Sequence, residues 1–449
     1  MYIATAVIKR ITNMREKLFR AMLAALLMSG ATLSLAEGLA NTAEKTPELS
    51  LAAAVAEVIS ANPGLAAMHA RAQALALETQ QQNVLPDPRL QLNLVNVPLD
   101  SLDFRAEDMT QLEIGISQML PYPGTLALQE TAAAHEQHAA ESDEQETRLK
   151  LVRDVKMLWW NLYYVDRALE TIERNRGVLR QFVNVAQSKY KIGEGLQQDV
   201  LQAQLELSKL QDEEIASRSL RRQQEAGLNA VLNRSAVQPI RLPARERDDL
   251  MEVENEAVLL SQALERRPLL AAYRGRLDAA RARLGLAKKD YYPDFELGAS
   301  YGYRGDTPDG RSRSDMASVM LSMNLPIHSR TKQDKGVDQR SSQLLEAQYL
   351  LDDAWQQVAA EVSQAMAEYR QAQEQLALLK KGIIPQANQT VAAMLAAYQV
   401  NKVDFLSLAR AQLTLFEYET RAWLVLSQGH QALARLNAAV GYDIQNPSR

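Results

Sequence analysis

The chain has no cysteine in 449 residues, and only 19 glycines and 15 prolines. The first absence excludes disulfides, thiolate metal sites and an N-terminal lipid-modified cysteine. The second argues against a loop-rich fold, because glycine and proline are the residues that interrupt helices and strands. Neither sign of charge dominates: the formal net charge is -5, which leaves no electrostatic footprint for nucleic acid. Past the N-terminus no stretch reaches the ~18 apolar residues of a membrane-crossing helix, so none is expected in the mature chain. No nucleophile–base–acid set emerges, so no catalysis and no cofactor are expected. With 47% apolar and 23% charged residues, the composition is that of an ordered chain.

The N-terminus reads as an export signal. Arg15, Lys17 and Arg20 precede an apolar run from Ala21 to about Leu35, and "SLA" (Ser34 to Ala36) supplies small residues for a peptidase. This predicts a signal peptide over 1–36, with Met14 as an alternative start. The apolar run is shorter than the ~20 residues needed to span a bilayer.

Beyond it the sequence repeats. "ANPGLAAMHARAQALAL" (from Ala61) is answered by "RRPLLAAYRGRLDAARARL" (from Arg266), and "LPDPRLQLNL" (from Leu85) by "YPDFELGASY" (from Tyr292). "YKIGEGLQQDVLQAQ" (from Tyr190) returns as "YQVNKVDFLSLARAQ" (from Tyr398), and "LNAVLNRS" (from Leu228) as "LNAAVGYD" (from Leu436). The matches keep their order at offsets of 205 to 208 residues. Chance similarity between helices does not produce that, so the chain is a duplication. The expected halves are 37–235 and 263–449, joined by a segment over 236–262.

Each half holds two segments of period-two alternation, about 89–97 and 110–118, then 294–303 and 316–325. One face collects Leu90, Leu92, Leu94, Leu112, Ile114 and Ile116 in the first half. In the second it collects Phe295, Leu297, Ala299, Tyr301, Val319, Leu321 and Met323. The other face is Gln, Asn, Glu, Gly and Ser. Such strands suit either a sheet with one wet face or a membrane barrel, greasy outside and wet inside.

The rest is helical. From Leu126 to Tyr190 there is no proline, and Leu151, Val155, Leu158, Leu162, Val165, Leu169 and Ile172 step by 4 and 3. Trp355, Val358, Val362, Ala365, Tyr369, Ala372, Leu376 and Leu379 continue the pattern in the second half. Spacing that averages 3.5 predicts left-handed coiled packing, and some 65 residues make a rod of about 100 Å. Helices at about 64–84 and 197–233 together match the rod over 126–190. Those at about 268–291 and 404–440 match a second rod over 331–398. "MLPYPG" (Met119 to Gly124) and "NLPIHS" (Asn324 to Ser329) are strand-to-helix joints, whose prolines remove ladder donors and fix φ.

Four strands cannot close, and an open edge in lipid costs several kcal/mol for each unpaired group. Either the sheet lies in water or several chains pool their strands; three would give twelve. Over about residues 50–445 the chain resembles the TolC-type outer-membrane factor family. The resemblance rests on "NPGLAAMHARAQAL", "LPDPRL", "QMLPYPGTLAL" and the paired "YKIGEG" and "YQVNKV" segments. It implies a mainly α fold with a small β part. In it a homotrimer forms a twelve-stranded outer-membrane β-barrel, continued by a periplasmic α-helical barrel.

The implied function is a passive conduit in a tripartite efflux system, working with a periplasmic membrane-fusion adaptor and an inner-membrane pump of the resistance-nodulation-division class. The "LPYPG" variant is similar to members serving heavy-metal cation pumps, although Thr125 stands where those usually have lysine. Drug efflux and type I protein secretion are alternatives within the class. A periplasmic coiled-coil scaffold that never enters lipid is the alternative outside it.

The resemblance also implies sites at the far end of the rods. The turns at 191–196 and 400–404 become the adaptor contact, through Lys191, Ile192, Gly193, Leu196, Val400, Asn401 and Val403. Asp199 matches an acidic gate position; at offset 208 Ser407 stands opposite Asp199 and Arg410 opposite Gln202, where members of the family often have aspartates, thinning the ring. Glu194 and Lys402 share one offset and are expected to pair across a boundary between halves. Other motifs read as ordinary structure. His135 and His138 lack a third ligand, and Met316 and Met320 share a strand face that Met323 opposes. "RGD" (Arg304 to Asp306) lies in a polar turn, "GEG" (Gly193 to Gly195) lacks the strand of a nucleotide loop, and Trp159 and Trp160 suit helix packing.

Overall fold

The computed structural model describes residues 48–444, so the signal peptide expected over 1–36 lies outside the described residues. The first half runs α1 (Leu51–Ala61), α2 (Pro63–Gln82), β1 (Arg89–Val95), β2 (Gln111–Leu120), α3 (Thr125–Lys191) and α4 (Gln197–Val231). The second runs α5 (Glu256–Arg266), α6 (Pro268–Lys289), β3 (Phe295–Tyr303), β4 (Met316–Met323), α7 (Gln333–Leu378), a π turn (Leu379–Ile383), α8 (Ile384–Gln399) and α9 (Phe405–Val440).

At 67 residues, α3 is the unbroken rod that its lack of proline predicts. Of its heptad positions, Val155, Leu162, Val165 and Ile172 are buried, while Leu151, Leu158 and Leu169 are half-buried. In α7 the series from Val358 to Leu376 is buried. Trp355 departs from the expected pattern: it is 40% exposed, with the Arg274 guanidinium 5.8 Å above its ring.

The second rod is not one helix. Pro385 has no N–H to give and its ring crowds the carbonyl one turn earlier. The helix widens into the π turn directly before it, and α8 resumes with Pro385 in its first turn. Two helices lie outside the expected set. Ser50 caps α1 by accepting from Ala53 N at 3.2 Å, and Asn255 caps α5 by accepting from Ala257 N at 3.1 Å. Each stops at an X-Pro step, Asn62–Pro63 or Arg267–Pro268, where a new helix starts with proline in its first turn.

The core is a series of clusters along the rods. Val58, Trp159, Leu162 and Leu228 form one, and Leu259, Leu270, Val358, Val362 and Leu436 another. Between α4 and α5 the chain wraps the middle: Ile240 and Leu242 enter the Trp159 cluster. Met251 O accepts from Tyr369 Oη and Gln373 Nε2, both at 2.6 Å. Leu250 fills the space beside Gly429, where a Cβ would collide with its side chain. Arg267 and Glu146, both buried, form a double hydrogen bond at 2.8 Å that fixes α6 to α3.

The strands form one antiparallel sheet in the order β1-β2-β3-β4. Its register aligns Leu92, Ile114, Tyr301 and Ala317 in one row and Leu90, Ile116, Ala299 and Val319 in the next. These rows form the apolar face expected from the alternation, and it is bare: Leu92 is 69% exposed, Ile114 48% and Val319 81%. On the opposite face only the central strands are sheltered, at Gly115, Ser117, Gly298 and Gly302, while Gln91 and Asn93 of β1 and Met316 to Ser322 of β4 are exposed. Among the described residues β1 and β4 each keep one unpaired edge.

Candidate functional site

The two tip turns share one backbone motif. Helix α3 ends with Glu194 N bonded to Lys189 O at 2.9 Å and Gly193 N to Tyr190 O at 3.1 Å. At the matching positions Lys402 N bonds to Ala397 O at 2.9 Å and Asn401 N to Tyr398 O at 3.2 Å. This paired closure needs a left-handed residue; Gly193 has φ +78° and Asn401 φ +57°. Gly195 is required by closeness, since a Cβ there would lie 2.8 Å from Lys189 Cβ.

What the repeats do not announce is how the turns are joined. Lys189, only 9% exposed, crosses from α3 to the second turn. Its ammonium donates to Tyr398 O at 2.8 Å, to Gln399 O at 3.4 Å and to Asn401 Oδ1, and lies 4.8 Å from the Tyr398 ring centroid. Beneath it Phe182, Tyr398 and Phe405 meet edge to face at 6.5 and 5.8 Å, within a cluster that also holds Leu179, Ala203 and Leu408. The two turns are therefore one packed unit. In the repeat the equivalent of Lys189 is Ala397, so the clamp acts in one direction only.

Asp199 is half-buried on the first turn of α4 and faces this unit. Burial, and then the Asp404 carboxylate, hold its pKa above the ordinary value of 3.8. Asp404 goes the other way: its side chain caps α9 by accepting from Ser407 N at 2.9 Å, and the Ser407 hydroxyl, followed by that N–H, holds its carboxyl low. Burial and the neighbouring Asp199 charge push the Tyr398 phenol up to about 12. Among the described residues the buried Tyr398 hydroxyl finds no hydrogen-bond partner of good geometry.

Of the residues named from the sequence, Asp199, Asp404 and Ser407 are thus brought together, and Arg410 is exposed on α9 with its charge lowering the Asp404 pKa. Glu194 and Lys402 are both exposed, and among the described residues no ion pair joins them within the chain. Ile192, Leu196 and Val400 stand out from the turns, exposed by more than half, while Val403 packs inward. Among the described residues no group of three or more His, Cys, Asp or Glu is placed to hold a metal ion. His138 lies 3.3 Å from Glu141 on its own helix.

Residues 54–234 and 259–442 match the outer membrane efflux protein family, one stretch in each half of the duplication. The chain belongs to that family. Its location is accordingly the outer membrane, with the helical rods extending into the periplasm, and the family is one of channels, not enzymes. One relative is the cobalt-zinc-cadmium resistance protein CzcC of Cupriavidus metallidurans, 28% identical over 183 residues. That alignment spans 41% of this chain and 42% of the relative.

The fold matches solved structures over nearly its whole length. One is CusC, described for conformational changes accompanying folding and transmembrane channel formation, with TM-score 0.75 and 17% identity. It covers 88% of this chain and 92% of CusC. The open state of the Neisseria gonorrhoeae MtrE outer membrane channel gives TM-score 0.74 at 17% identity, over 89% and 90%. The mainly helical fold with a four-stranded barrel segment expected from the sequence is the fold of these channels.

Proposed function

We propose that three copies of this chain form the outer-membrane duct of a tripartite efflux system. The duct passively carries cargo delivered by a periplasmic adaptor and an inner-membrane pump of the resistance-nodulation-division class. The observation that carries this reading is the sheet. Its apolar face is bare, its polar face is sheltered on the two central strands, and both its edges are open among the described residues. An open edge is not tolerated in lipid, and four strands are fewer than the eight of the smallest single-chain barrels. Closure by further copies satisfies both demands. The same bare face argues against a periplasmic scaffold, which has no use for an apolar sheet surface in water.

The exposed Ile192, Leu196 and Val400, at the end of the rods opposite the sheet, suit contact with an adaptor. Heavy-metal cations are the proposed cargo, supported by the resemblance to CzcC. Deleting the gene should lower tolerance to cobalt, zinc and cadmium and raise their cellular content, with complementation restoring both. Unchanged metal tolerance together with lost drug resistance or lost protein secretion would replace the cargo and leave the duct.

A further inference from the structure

Methionine breaks the pattern of the sheet's polar face. The register that aligns Leu92, Ile114 and Tyr301 on the apolar face sends Met119, Met316 and Met320 to the opposite one. Everything else on that face of β2, β3 and β4 is Gln, Glu, Ser or Gly. The three methionines are not covered by the chain: Met119 and Met316 are each 41% exposed and Met320 is 46% exposed. A side chain that only filled a core would be buried, so packing does not account for them. Met323, opposite Phe295, lies on the apolar face like an ordinary barrel residue.

Gly298 makes a hollow in this polar wall. Met320 stands directly across from it on β4, and Ser117 directly across on β2. A Cβ at position 298 would lie 3.4 Å from Met320 Cε and 3.4 Å from Ser117 Cβ, so the methionine already leans over the glycine. Glu296, the next residue on the same face of β3, accepts from Ser117 Oγ at 2.7 Å and joins no ion pair among the described residues. Met119 faces Glu296 across the β2–β3 ladder, which sets it diagonally from Gly298. Diagonal neighbours lie about 7–8 Å apart, within reach of a long, unbranched side chain. Two thioethers, a carboxylate and a hydroxyl thus border one hollow. Gly302 gives the contrast: Met316 stands opposite it, but the Gln111 amide already takes the space a side chain would occupy.

The donor set has a chemical preference. Thioether sulfur is soft and uncharged and suits copper(I), whereas harder divalent ions favour imidazole and oxygen ligands. The described residues gather no three His, Cys, Asp or Glu for such an ion. The Glu296 carboxylate supplies the single negative charge that balances a monovalent cation. Few and weak donors on a wet wall also release what they bind, as passage through a duct requires.

We propose that Met119, Met320 and Glu296, around Gly298, form a site in the duct wall for a soft monovalent cation of the copper(I) and silver(I) class. This rests on the duct proposed above, which makes the polar face its lumen, and it adds soft monovalent ions to the cargo.

Because the chain has no cysteine, methionine supplies all of its sulfur. Silver(I) is the probe, titrated into wild-type protein in mild detergent and chloride-free buffer. X-ray absorption of the silver-loaded protein should show sulfur neighbours, and calorimetry one tight site per chain. Met119→Leu/Met320→Leu should weaken binding by about tenfold or more with trimer yield unchanged, since Met and Leu nearly match in volume. Met323→Leu, on the apolar face, should bind silver as the wild type does, and equimolar zinc should not displace it. Silver without sulfur neighbours, displacement by zinc, or wild-type affinity in the double variant overturns the site. Glu296→Gln keeps the shape and removes the charge, so it serves if the double variant fails to assemble; undiminished affinity there overturns the site as well. A wild-type trimer that binds no silver overturns the site and leaves the duct, whereas a monomeric wild-type protein overturns the duct and with it the lumen wall.

Discussion

Replacing Lys189 by methionine keeps the buried stem and removes the ammonium that three acceptors share. Hydrogen bonds to a charged donor are worth about 1.5–3 kcal/mol each, so the link between the two tip turns should weaken by several-fold or more in its equilibrium. Lys189→Met is expected to raise single-channel conductance in planar bilayers while leaving the trimer intact; wild-type conductance would remove Lys189 from the gate. Asp199 gives the tip a pH dependence whose sign follows from its raised pKa. A carboxyl that ionises less readily in the packed tip penalises that tip when charged, so protonation stabilises packing. As pH falls toward and through the region above 3.8, conductance should fall, and Asp199→Asn should abolish the trend. Asp404, shifted downward, keeps its cap until the pH drops below 3.8 and does not mask the effect. Conductance that rises on acidification in the wild type contradicts this. Neither the clamp nor the phenol of Tyr398 was legible in the sequence. Lys189 reads as one more basic residue in a last helical turn, and its acceptors lie some 210 residues away.

The elements were more legible, for identifiable reasons. Sixty-odd residues without proline, stepping by 3 and 4, leave little but α3, and strict alternation bounded by prolines leaves little but the strands. Helices α1 and α5 were missed because eleven residues carry too few periods, and only Ser50 and Asn255 mark their starts. The second rod, expected as one helix over 331–398, breaks at Pro385, a residue the apolar spacing passes over because the 3-4 pattern runs on to Leu379 before it. At this scale the sheet faces are testable. Arg at Leu92, Ile114, Leu297 or Leu321 should cost about 2–4 kcal/mol near the bilayer midplane, whereas Lys at Asn93, Glu113 or Ser300 should be tolerated. Folded trimer yield measures both, and equal tolerance of the two faces would refute the assignment. The bond between α3 and α6 makes a second prediction. Glu146→Ala leaves the Arg267 guanidinium buried without its main partner and should cost about 3–5 kcal/mol, read as earlier thermal unfolding.

For the whole molecule the duplication explains the architecture. Each half supplies a strand pair, a long helix and shorter partners, and neither half nor the single chain can close its sheet. That much followed from ordered matches at a near-constant offset. Three copies are proposed to pool their strands into one outer-membrane duct. Native mass spectrometry of the mature protein, extracted in mild detergent from the outer-membrane fraction, tests it most directly. A dominant species of three times the mature chain mass is expected, and a dominant single-chain mass would contradict the three-copy duct.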